Sequence, residues 1–91
     1  MIVVYILYSS SLKKYYVGQT SNLEDRINRH NKGRSKYTKP GIPWKLVWKV
    51  SCDSRSEAMR LERRIKKRGA KRFIDDHRGV PRHNVAGLAR S

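Results

Sequence analysis

Two tyrosines, Tyr5 and Tyr16, then Arg26, His30 and the lone acid Glu62 are the residues whose types could do chemistry together. Phosphodiester hydrolysis needs such a set. One group must deprotonate water, another must neutralise charge growing on the phosphate, and a cation must assist the leaving oxygen. A phenol titrates near 10 and is a poor base at neutral pH unless nearby cations lower it. Cations are abundant in this chain. Arg26 and His30 are four residues apart, so a helix sets them on one side, one above the other. Glu62 stands among Arg60, Arg63, Arg64, Lys66, Lys67 and Arg68 and has two readings. One is an i,i+4 ion pair with Lys66, of small energetic weight. The other is a ligand for one Mg²⁺, a hard ion that commonly takes one protein carboxylate plus waters and substrate phosphate. Singly, each residue has an ordinary explanation: strand tyrosines fill cores, helix arginines are solvated, and a histidine in an apolar stripe packs. Jointly they form a set.

The elements that must position them follow from pattern. Residues 2–8 are almost continuously apolar, as expected for a central strand covered on both faces. Polar turn residues lead to a second strand at 15–18, so 2–18 reads as a hairpin that puts Tyr5 and Tyr16 on one side of a sheet. In "SNLE", Ser21 and Glu24 read as a capping box opening a helix over 22–32, with Leu23, Ile27 and His30 as its apolar stripe and Gly33 as its stop. Residues 32–43, rich in Lys, Gly and Pro, read as an exposed loop. Trp44, Leu46, Trp48 and Val50 alternate with lysines and predict a third strand with all four on one face. Ser54 and Glu57 cap a second helix with Ala58, Leu61 and Ile65 as its stripe; Gly69 breaks it, and one or two further helical turns follow. The fold class expected is α+β: a small three-stranded antiparallel sheet flanked by helices, in β-β-α-β-α order, over residues 1–77. Residues 78–91 read as a loose basic tail.

The 91 residues suit one domain with a single compact core. Against seven acids stand 22 Lys and Arg, a formal charge of +15. Self-repulsion makes that imbalance a burden on folding, so it must suit a polyanionic partner. Nucleic acid is the expected one, DNA foremost with RNA open, rather than a membrane surface, because no long basic helix has a bulky apolar face. The contact candidates are Lys14, Arg29, Lys32, Arg34, Lys36, Lys39, Arg63, Lys66 and Lys67. One cysteine, Cys52, allows no internal disulfide, and the apolar start is far shorter than a membrane span; both fit a cytoplasmic setting.

"VVY" at 3–5 and "YVG" at 16–18 resemble the two halves of the GIY-YIG nuclease signature. "GQTSNLEDRINRHN" resembles the family's next block and "SRSEAMRLERRIKK" its metal-glutamate helix, in the right order over residues 2–68. The resemblance implies a fold of the GIY-YIG type and a hydrolase. It implies Tyr16 as general base or its partner, Tyr5 as the group orienting water or phosphate, and Arg26 holding the scissile phosphate. Glu62 becomes the ligand of one Mg²⁺ or Mn²⁺, His30 an assisting residue, and Gly18 a structural glycine allowing close backbone approach where strand meets helix. Val3 stands where the first motif has glycine, Val17 where the second has isoleucine, and Gln19 where some members carry lysine. Asn84 is weighed as the supporting asparagine of many members and set aside, because it lies in the tail.

The expectation is therefore a divalent-metal-dependent endonuclease selecting structure rather than sequence, in a role such as DNA repair. Any targeting would come from a protein partner. The rival readings are a catalytically silent nucleic-acid-binding module and an accessory protein docking on RNA. A carboxylate amid eight basic residues on the 60–72 segment favours an enzyme.

Overall fold

The computed structural model describes residues 1–34 and 36–77; the expected tail and Asn84 lie outside the described residues. The chain runs β1 (Ile2–Ser9), β2 (Lys14–Thr20), α1 (Leu23–Asn31), a short 3₁₀ turn (Lys39–Gly41), β3 (Trp44–Cys52), α2 (Arg55–Arg68) and α3 (Ala70–His77). The three strands form an antiparallel sheet in the order β2-β1-β3. The α+β class is as expected, with a third helix where only a turn or two was foreseen.

β1 is central because it can be buried on both sides. Val4 and Ile6 pack with Val17, Cys52, Ala58, Ile65 and Phe73, the layer of α2 and α3. Tyr5 and Leu7 face the other way and pack with Trp44, Leu23, Ile27, Ile42 and Leu46, the layer of α1. Val4, Tyr5, Ile6 and Leu7 have no exposed surface, and full burial of each aliphatic is worth roughly 1.5–3 kcal/mol.

The third strand departs from simple alternation. Ile6 pairs with Trp48 but Leu7 pairs with Leu46, so the register shifts between them and Val47 is the extra residue. A bulge reverses which side later residues face. Trp44 and Leu46 therefore join the α1 layer, and Trp48 and Val50 join the α2 layer, instead of all four sharing one face.

The start of α1 also differs from the expected cap. The Asn22 side chain, not that of Ser21, accepts from the Asp25 amide at 3.1 Å. The Thr20 hydroxyl accepts from the Asn22 amide and donates to its carbonyl, closing the strand-to-helix turn and leaving Ser21 outside the helix. At α2 the expected pair operates: Ser54 Oγ accepts from the Glu57 amide, while the Glu57 carboxylate reaches back to the Asp53 amide. Gly69 ends α2 at φ +97°, a left-handed conformation that favours glycine. α3 then folds back, with Phe73 edge-on to Trp48 at 5.0 Å.

Candidate active site

Tyr5 and Tyr16 share the α1 face of the sheet as the hairpin pattern requires, with ring centroids 6.3 Å apart. Tyr5 is paired across the strands with Gly18. A Cβ at residue 18 would stand 2.7 Å from the Tyr5 hydroxyl, 2.9 Å from its Cζ and 3.1 Å from Cε2 of Tyr16. Gly18 is thus the floor on which the tyrosine pair rests. The expected reason, backbone approach of strand to helix, gives way to this one.

Tyr5 is fully buried, and burial pushes its hydroxyl up to about 12, with Tyr16 and, less strongly, Glu62 adding to the rise and the positive charge of Arg26 opposing it. The expectation that the basic chain lowers its phenols fails at Tyr5, because desolvation outweighs the nearby cation. Tyr5 is a neutral phenol suited to orienting a neighbour. That neighbour is His30, whose Nε2 lies 3.4 Å from the Tyr5 hydroxyl. His30 is itself buried, and burial, followed by Arg26, lowers its tendency to protonate. Its Nδ1 lies 2.9 Å from the Thr38 hydroxyl.

Tyr16 is half-buried, with its ring edge-on to His30 at 4.8 Å and to Trp44 at 6.2 Å. It lines an open cavity of about 470 Å³ together with Arg26, Arg29, His30 and Arg34. The i,i+4 spacing of Arg26 and His30 does bring both to the tyrosines. A phenol and three guanidinium groups around one opening can receive a phosphate.

Glu62, on α2, is held at the Gln19 side of β2, near enough to Tyr5 to add to the rise of its hydroxyl. Its carboxylate, one-fifth exposed, takes Lys66 Nζ at 2.8 Å on one oxygen and Gln19 Nε2 at 3.0 Å on the other. The simple ion-pair reading of the sequence is therefore realised. The residue nevertheless opens onto a cavity of about 260 Å³ with Gln19, Met59, Arg63 and Lys66. Among the described residues no hydrogen bond joins Glu62 to Tyr16 or Arg26. β2 is an edge strand, with Tyr16 toward one face and Gln19 toward the other. Lys66 lines both the Glu62 opening and a groove of about 840 Å³ that runs past Lys14, Tyr16, Tyr37 and Trp44. The two half-sites are reached over the same strand edge.

The nine basic candidates are all exposed. Arg29 and Arg34 line the Tyr16 cavity, Arg63 and Lys66 that of Glu62, and Lys14 the groove. Lys32, Lys36, Lys39 and Lys67 line none of these openings. Pattern reading missed Thr38, which is buried in a stretch that looks wholly exposed, and the positioning roles of Asn31 and Gln19. Arg55 Nη1 donates to Gln19 Oε1 at 3.1 Å, so Gln19 is held from one side while it holds Glu62 from the other. The one available signal for Gln19 was its place directly after Gly18.

A half-buried phenol, a cationic opening and a lone carboxylate gather around the edge strand of a small α+β domain. The model of the GIY-YIG catalytic domain matches residues 1–74, and the chain belongs to that nuclease family. Its similar proteins are UPF0213 proteins: one from Syntrophus aciditrophicus is 46% identical over 70% of this chain and 75% of its own length. One from Staphylococcus haemolyticus is 50% identical over 56% of this chain, an alignment that spans 63% of that relative. The solution NMR structure of a UPF0213 protein from Bacillus halodurans matches all of both chains at 32% identity and a TM-score of 0.54.

GIY-YIG nucleases generally use divalent metals, and the donor set here fits one kind. Among the described residues no three His, Cys, Asp or Glu side chains gather, so no closed zinc centre forms. A single partly exposed carboxylate beside an open cavity fits Mg²⁺ or Mn²⁺ drawing its other ligands from water and phosphate. No helix is long and apolar enough to cross a membrane among the described residues.

Proposed function

We propose that the chain is a divalent-metal-dependent endonuclease that hydrolyses nucleic-acid phosphodiester bonds, DNA foremost, and selects structure rather than sequence. The observation that carries this is the disposition around β2: Tyr16 and Arg26 in a cationic cavity, Glu62 at the Gln19 side of the strand, and Lys66 lining openings beside Glu62 and beside Tyr16. A strand laid across that edge meets both half-sites. Glu62 would hold the ion, which when bound supplies charge neutralisation at the phosphoryl and leaving oxygens. Arg26 grips two non-bridging oxygens with its planar fork. Tyr16 Oη serves the attacking water as general base or as that base's partner. Tyr5 and His30 fix the floor and wall against which Tyr16 packs. The domain offers basic side chains and one strongly exposed aromatic, Tyr37, rather than an element shaped for a groove, which suits recognition of backbone and shape.

A second reading, a binding module without catalysis, is favoured by the engagement of both Glu62 oxygens by Lys66 and Gln19. A gel cleavage assay on duplex, flapped and single-stranded DNA and on RNA, with Mg²⁺ or with EDTA, separates them. Cleavage that EDTA abolishes supports the nuclease. Binding to every substrate without a cut in Mg²⁺ or Mn²⁺ supports the module.

A further inference from the structure

Thr38 sits in a segment of lysines, glycine and prolines, yet only 1% of its surface is exposed. Its neighbours Tyr37 and Lys39 face solvent. A buried hydroxyl is costly unless it is bonded. The partner is His30 Nδ1 at 2.9 Å. Thr38 is also clamped through its backbone, where the Trp44 indole Nε1 donates to its carbonyl at 2.6 Å. Trp44 is fixed in turn by Asn31, which accepts from its amide at 2.6 Å and donates to its carbonyl at 3.1 Å. Consecutive residues of α1, His30 and Asn31, therefore hold the Thr38 loop by two routes.

A neutral imidazole has one donor nitrogen and one acceptor. Which is which here follows from the neighbours. The Tyr5 hydroxyl is fully buried and must place its proton on an acceptor within the protein. Its proton then goes to His30 Nε2, and among the described residues no other acceptor is bonded to it. Nε2 as acceptor leaves the ring proton on Nδ1, pointing at Thr38 Oγ1. The Nδ1 bond, at 2.9 Å, is much shorter than the 3.4 Å contact to Tyr5, so the ring is set from the Thr38 side.

We propose that Thr38 is a positioning residue: its hydroxyl holds His30 in the Nδ1–H tautomer, leaving Nε2 to accept from Tyr5, and thereby ties the loop carrying Lys36, Tyr37 and Lys39 to the tyrosine pair. The tautomer claim stands on geometry alone, whereas its effect on turnover rests on the nuclease reading. A substrate that engages Tyr37 and Lys39 acts on a loop bonded directly to the residue behind Tyr16 and Tyr5.

The test is ¹⁵N NMR of the His30 ring at neutral pH in the free full-length protein, in Thr38→Val, which keeps the shape and removes the hydroxyl, and in Thr38→Ser, which restores it. The parental ring should show a protonated Nδ1 and a bare Nε2, Thr38→Ser should match it, and Thr38→Val should lose the preference. Turnover in Thr38→Val should fall about 10-fold or more with KM nearly unchanged, the usual scale for a residue supporting a catalytic one, and Thr38→Ser should recover it. A parental Nε2–H tautomer overturns the proposal, as does an unaltered tautomer or unaltered turnover in folded Thr38→Val. Should the valine variant fail to fold, the parental and serine spectra decide: Nδ1–H in both supports the proposal, and Nε2–H in either overturns it. Because the spectra need no catalysis, the expected tautomers in a protein that cuts nothing would sink the nuclease reading alone.

Discussion

Replacing Gly18 with alanine tests whether the glycine is the floor of the tyrosine pair. The added methyl would meet the Tyr5 hydroxyl at 2.7 Å, so the phenol must retreat roughly 0.7 Å to reach ordinary contact. Tyr5 has no exposed surface and is held between His30 and the α1 layer, so it cannot swing into solvent. Tyr16, whose Cε2 would stand at 3.1 Å, is pressed outward by the same methyl. Overpacking of this size costs about 1–3 kcal/mol. In a domain of this length each kcal/mol lowers the melting temperature by roughly 4–8 °C. A displacement approaching 1 Å at the reacting groups costs turnover about 10²-fold. Nucleic-acid affinity should hold, since no charge changes. Thermal melting, single-turnover cleavage and filter binding, all below the variant's melting point, read the three effects. Parental melting and parental cleavage in Gly18→Ala would refute the packing argument.

Tyr16→Phe removes a hydroxyl and leaves the ring against His30 and Trp44, so cleavage should fall by ~10²-fold or more with little change in melting; a loss of folding instead would make Tyr16 structural. Arg26→Lys keeps charge and discards the planar fork, so binding should hold while turnover drops ~10-fold or more, about 1.4 kcal/mol of transition-state stabilisation; near-parental turnover would reduce Arg26 to a surface cation. His30 is held below its ordinary value by burial and by Arg26, so the folded state binds its proton later than the unfolded chain does. Its contribution to stability is present above about pH 6.5 and is lost as pH falls below it. Melting curves from pH 7 downward should show a loss that His30→Gln lacks, and equal slopes would contradict this.

Much of this site is legible in the sequence because its parts are local. The hairpin alternation places Tyr5 with Tyr16, i,i+4 spacing places Arg26 with His30, and Glu62 stands out by charge alone. What escapes is tertiary. The extra residue Val47 is invisible in an alternating run, because only pairing with β1 decides where the register slips. The cap moved to Asn22 because the Thr20 hydroxyl closes the preceding turn, and either residue is a good cap by type. Thr38 looks solvated by its neighbours and is buried because Trp44 and His30 draw it in. Burial raises Tyr5 although the composition promised the reverse, since net charge says nothing of local desolvation.

The central claim is that Glu62 serves phosphodiester hydrolysis rather than only an ion pair with Lys66. Single-turnover cleavage of one end-labelled DNA substrate by the parental protein and by Glu62→Ala, side by side in Mg²⁺, tests it most directly. The account predicts EDTA-sensitive cleavage by the parental protein and a loss of several orders of magnitude in Glu62→Ala, with binding equal or tighter because a negative charge is gone from a basic surface. Equal cleavage rates for the two proteins would contradict it.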